Sequence, residues 1–191
     1  MLNELASSLN IIVANTKHNL PYLLQIFSVL WGAYFLNLIL GKKLLYLGII
    51  PRHILGIPGI ICSPFLHADF NHLFFNTIPI IILSDFILMN GIYYYLNVSI
   101  YIILISGFLT WLFAKPGIHV GASGLITGYW GLLISNIYNQ GTITAIILGI
   151  ICVYYFAGIF LSIFPGKKGI SWEGHLFGLL SGLVVDLNCF F

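Results

Sequence analysis

His119-Val120-Gly121-Ala122-Ser123-Gly124-Leu125-Ile126-Thr127-Gly128 sets one serine among small residues at the start of a long apolar segment. Taken alone, the run has two readings. A serine between glycines packs helices together in a membrane as readily as it serves as a nucleophile. What separates the readings is where the other polar residues fall once the chain is divided into membrane spans.

The division is forced by composition. Of the 191 residues, 60% are hydrophobic and 6% charged, and the mean hydropathy is +1.04. A soluble domain carries roughly 25% charged residues, so the chain reads as an integral membrane protein. Its length accommodates about six spans of roughly 20 residues, with no separate soluble domain. Residues 1–19 lack a basic leader, a compact apolar core and a small-residue cleavage site, so they do not read as a signal peptide. Leu2, Leu5, Leu9, Ile12 and Val13 recur at helical spacing instead. This predicts a short amphipathic helix in the membrane interface ahead of the first span. Cys62, Cys152 and Cys189 are far apart and read as small buried hydrophobes.

Spans are predicted at 21–40, 72–89, 98–114, 121–138, 143–164 and 172–187. The punctuation is Gly41-Lys42-Lys43, Asn90-Gly91, Lys115-Pro116-Gly117, Asn139-Gln140-Gly141 and Pro165-Gly166-Lys167-Lys168. Residues 41–71 are too apolar for a free loop and too interrupted by Pro51, Pro58 and Pro64 for one helix. Irregular backbone at membrane depth must be satisfied by protein or water, so this loop is expected to sit compactly, half immersed, against the bundle. Asp69 reads as a helix-start or solvated residue just before the second span.

Because the chain crosses and returns, spans two, four and six start on the same face of the membrane. Their first turns carry His72 and Asn76, then Ser123, then His175. Four polar groups from distant parts of the chain therefore arrive at one depth, and polar or ionisable groups inside spans are costly enough to mark function. Ser123 with His175 is the minimum for nucleophilic catalysis, the imidazole taking the hydroxyl proton and returning it to the leaving amine. Glu173 lies about 200° round the helix from His175 and reads as an interface residue. Asp85 and Asp186 lie toward the opposite face, so a dyad is expected rather than a triad. His72 and Asn76, at i and i+4, share one helix face. They are either oxyanion donors, joined by the Ser123 backbone N–H at its helix N-terminus, or an interhelical hydrogen-bonding pair. Gly124, Gly128 and Gly131, and again Gly174, Gly178 and Gly182, form small-residue stripes that let two helices touch beside the serine and the histidine. His67 and His119 read as solvated or locally hydrogen-bonded residues at the mouth of the site. With His72 and Cys62 they match no standard metal-ligand spacing.

Three motifs together resemble the rhomboid family of intramembrane serine proteases over nearly all the chain from the first span onward. Phe65-Leu66-His67-Ala68-Asp69-Phe70-Asn71-His72-Leu73-Phe74-Phe75-Asn76 is similar to the family's loop into its second span. Gly121-Ala122-Ser123-Gly124 is similar to its nucleophile motif, and Gly174-His175-Leu176-Phe177-Gly178, followed by Gly182, to its base-bearing helix. The resemblance implies an all-α bundle of six spans over 20–191 behind the interfacial segment 1–19. Ser123 would be nucleophile, His175 general base and acid, and His72 and Asn76 the oxyanion hole, with Gly121, Gly124, Gly128, Gly178 and Gly182 packing around them. It implies single-spanning membrane proteins as substrates, a bacterial inner membrane as location, and neither cofactor, metal nor nucleic-acid partner. The sequence departs from the family twice. Pro58 and Gly59 stand near the place of a Trp-Arg pair in the first loop, and Thr127 replaces an aromatic ring that stacks on the histidine. Orientation is pulled both ways. Lys42, Lys43, Arg52, Lys115, Lys167 and Lys168 lie on the site's face and only Lys17 on the other, which would make that face cytoplasmic, whereas the resemblance implies opening away from the cytoplasm. The alternatives are a catalytically silent rhomboid-like module that binds membrane proteins, which the retained Ser123 and His175 argue against, and a small transporter, for which no inverted repeat or charged broken helices appear.

Overall fold

A computed structural model describes residues 2–140, 142–161, 163–164 and 171–188. They form six long helices, α1 (Leu2–Ile39), α3 (Phe70–Leu88), α4 (Ile92–Phe113), α5 (Ser123–Gln140), α6 (Ile143–Leu161) and α7 (Trp172–Asn188), with a four-residue helix α2 (Gly59–Cys62) in the first loop. Among the described residues there is no strand, only one isolated antiparallel pairing of Ile49 with His119. Among the described residues three helices are long and apolar enough to cross a membrane, Ala6–Ile39, Phe70–Leu88 and Ile92–Phe113, and Trp172–Val185 is a shorter apolar helix. The protein is thus an integral membrane protein. α5 carries Ser123, Thr127, Ser135 and Asn136, and α7 carries Glu173, His175 and Ser181.

α5 is the central helix, packed by α3, α4, α6 and α7. Its Leu125, Ile126, Tyr129, Leu132 and Leu133 are buried with Leu73, Ile80, Leu83 and Ile87 of α3 and Val98 and Ile102 of α4. Burying each such side chain contributes about 1.5–3 kcal/mol against leaving it in water; in lipid the gain comes from close packing instead.

The N-terminal segment differs from expectation. It is not a separate helix ahead of the first span, because α1 runs unbroken from Leu2 to Ile39 with Pro21 inside it. Ser8, Asn19, Leu23, Leu30, Tyr34 and Asn37 are buried along it at helical spacing on both sides of the proline, whereas Leu9 and Val13 are exposed. The inward stripe is the partly polar one. Thr16 Oγ1 and Asn19 Nδ2 donate to the two carboxylate oxygens of Asp85 at 2.6 and 2.9 Å, which fastens the helix to the last turn of α3 just ahead of the proline.

The first loop is compact and lies against the bundle, as its composition requires. Arg52 donates through its backbone N–H to Trp111 O at 2.8 Å. Its Nη1 donates to the carbonyls of Leu112 and Ala114 at 3.1 and 2.8 Å, where the α4 C-terminus has no acceptor-satisfying N–H of its own. Trp111 Nε1 donates back to His53 O at 3.0 Å.

Candidate active site

The segment leading to Ser123 is held in extended form by backbone bonds that the loop supplies. Ile49 and His119 exchange N–H···O bonds of 3.0 and 2.9 Å, and Gly121 N–H donates to Ser63 O at 2.9 Å. Ala122 N–H donates to His67 Nε2 at 3.4 Å, so the fully buried His67 ring props the residue before the serine. Gly121 has φ 119°, a conformation glycine adopts at no steric cost. α5 then begins at Ser123, whose first-turn N–H groups have no helical acceptor and lie at the positive end of the helix dipole.

α3 brings the second pair. Asp69 caps it, accepting from His72 N–H at 2.9 Å, which favours the helix-start reading of this residue over the solvated one. His72 and Asn76 reach Gly121 together: a methyl there would lie 2.5 Å from both Cε1 and Nε2 of His72 and 3.5 Å from Asn76 Nδ2. Asn76 is buried, and its Nδ2 has no hydrogen-bond partner among the described residues. His67 packs edge-on to His72, centroids 5.1 Å apart. Burial and the neighbouring His72 lower the pKa of His67 to about 4, with Phe65 and Asp69 opposing.

α7 approaches α5 backbone to backbone. A methyl on Gly124 would lie 3.2 Å from Gly174 O, and one on Gly128 would lie 3.1 Å from Gly178 O. The approaches of Gly178 to Gly124 O and of Gly182 to Gly128 O leave a Cβ no space at all. Both stripes advance together, so the helices run parallel, and the register follows. His119 and Ser171, 52 positions apart, are joined side chain to side chain at 2.7 Å. Ser123 and His175 have the same separation and lie one turn further along. The serine and the buried histidine therefore stand at one level on two touching helices.

A rhomboid domain is matched over residues 56–190, most of the chain and all of the site. This chain belongs to the rhomboid family. Its relatives include uncharacterised proteins of Mycobacterium bovis and Mycobacterium tuberculosis, each 32% identical over 173 residues, covering 85% of this chain and 71% of the relative. One of Mycobacterium leprae is 34% identical over 136 residues, covering 66% of this chain and 53% of the relative.

Other polar residues of this rhomboid chain are distributed as follows. Asp85 is in the last turn of α3, about 20 Å along the axis from His72, and is taken up by Thr16 and Asn19. Glu173 is buried in the first turn of α7. The Asp186, Cys152 and Cys189 side chains lie outside the described residues, and Cys62 is a half-buried free thiol. Among the described residues no three His, Cys, Asp or Glu side chains converge in a way that would hold a metal. Thr127 is buried, donating to Gly124 O at 2.9 Å, and its hydroxyl faces Gly178. A larger side chain pointed the same way would drive the helices apart. A cavity opens beside Ser123, lined by Ile60, Ser106, Thr110, Val120 and Ser171 among others. Sequence reasoning missed the His119–Ser171 bond, although the shared 52-position interval carried that signal.

Proposed function

We propose that this protein is an intramembrane serine endopeptidase of six spans, cleaving single-spanning membrane proteins through a Ser123–His175 dyad. The observation that carries the reading is the glycine seam, which sets a hydroxyl at a helix N-terminus level with a buried imidazole on the adjoining helix. His175 takes the Ser123 proton as Oγ attacks the scissile carbonyl. The oxyanion accepts hydrogen bonds from Asn76 Nδ2, the His72 ring and the Ser123 N–H. His175 then protonates the leaving amine, and water, deprotonated by the same imidazole, hydrolyses the acyl ester. No cofactor enters this chemistry. Mycobacterial relatives support a bacterial plasma membrane. Arg52 is bonded to α4 carbonyls, which supports counting it as a packing residue, but five lysines remain on that face against Lys17, so an active site opening away from the cytoplasm rests on the family likeness.

The test is covalent. A fluorophosphonate probe labels the purified protein and fails on Ser123→Ala, and a fluorescent single-span substrate is cut at least about a hundredfold more slowly by Ser123→Ala and by His175→Ala. Labelling that survives Ser123→Ala, or a wild-type protein that binds the substrate and never cuts it, overturns the reading in favour of a membrane-protein-binding module.

A further inference from the structure

His119 and Ser171 take no part in bond making, yet they join the two reacting segments one turn before the reacting side chains. His119 Nε2 lies 2.9 Å from Lys115 O. A carbonyl only accepts, so Nε2 carries a proton, and Nδ1 shares a hydrogen bond of 2.7 Å with Ser171 Oγ. The same Ser171 oxygen accepts from Gly174 N–H at 3.3 Å, and its carbonyl accepts from His175 N–H at 3.3 Å. His119 is held in turn by its two backbone bonds to Ile49. A closed path results: along the chain from Ser123 back to His119, across to Ser171, and through the first turn of α7 to His175.

We infer that His119 and Ser171 are positioning residues that set the height and rotation of the first turn of α7, and so aim the His175 imidazole at Ser123; this rests on the protease reading above. The first turn of the helix that bears the ring is fixed by Ser171, through its hydroxyl to Gly174 N–H and its carbonyl to His175 N–H. On the facing helix Thr127, one turn past Ser123, points into the seam and bonds Gly124.

The experiment measures kcat and KM for the single-span substrate with purified Ser171→Ala, His119→Ala and the double variant. Each single variant lowers kcat about tenfold at unchanged KM. The double variant falls no further, because both changes cut one link. Ser171→Thr, which keeps the hydroxyl, restores the rate. Ser171→Gly separates capping from aiming, since glycine caps a helix nearly as well as serine: it keeps thermal stability close to wild type and retains the loss in kcat. Wild-type kcat in folded Ser171→Gly, or losses that multiply in the double variant, overturn the inference. Failure of the wild-type protein itself to cleave or to take the fluorophosphonate would instead sink the protease reading beneath it.

Discussion

Asn76 is the residue where packing and chemistry give opposite expectations. A buried amide donor left without an acceptor costs about 1–3 kcal/mol, and its Nδ2 has none among the described residues. Nothing in the helix bundle is gained by that arrangement; a developing oxyanion gains a donor already in place. Asn76→Ala is therefore expected to lower kcat by about 10²–10³ while leaving the melting temperature unchanged or slightly raised. A residue that merely glued α3 to its neighbour would show the reverse, a lower melting temperature at preserved turnover. Gly121 sits opposite. A methyl there meets the His72 ring and is built on a φ of 119°, so Gly121→Ala should lose both activity and stability. Thermal unfolding and turnover measured on the same preparations separate the two residues.

At the scale of helices, the α5–α7 seam was readable from the chain because small residues every fourth position have one physical use in a membrane, close approach. The separate N-terminal helix was misread for an equally physical reason. Leu9 and Val13 form an apolar stripe that faces outward, while the stripe that packs contains Ser8, Thr16 and Asn19, whose worth depends on Asp85 some seventy residues later. Long-range polar partners leave no local periodicity. The first loop is a similar case: the missing Trp-Arg pair was visible, but not that Arg52 and Trp111 would clasp loop to helix in its place. The seam gives a paired prediction. Gly178→Ala forces a Cβ against Gly124 O and Thr127 Oγ1 and must spread the helices, whereas Gly158 of α6 has nothing within 4 Å of that position among the described residues. Gly178→Ala is expected to lower kcat at least about tenfold, as a shift of the imidazole by a fraction of an ångström suffices, and to destabilise by about 1–3 kcal/mol. Gly158→Ala should change neither for the worse and gain up to about 1 kcal/mol of helix propensity. Equal behaviour of the two in activity and unfolding assays would contradict the packing.

At the scale of the whole molecule, two groups of interior polar side chains among the described residues stand at the two ends of α3. One holds Asp85 with Thr16 and Asn19; the other holds Ser123, His175, His72, Asn76 and His67, and only there does a buried ring support the backbone of the reactive segment. That makes global stability depend on the protonation of His67. Its folded-state pKa is lowered to about 4 from 6.5, while the unfolded chain titrates near 6.5. Above pH 6.5 both states are neutral and the full stability is present. Between 6.5 and 4 the unfolded state binds a proton that the folded state refuses, so stability falls as pH falls, by about 1.4 kcal/mol per unit. Below 4 both are protonated and the loss, about 3 kcal/mol in all, is complete. Unfolding of detergent-solubilised protein, followed from pH 7.5 to pH 4, should show this decline. In His67→Gln, which keeps a polar group at that place without a titrating ring, the slope of stability against pH should flatten by about 1.4 kcal/mol per unit, whatever the other histidines add to both proteins. Parallel slopes in the two proteins would mean that the ring is hydrated in solution and does not prop Ala122.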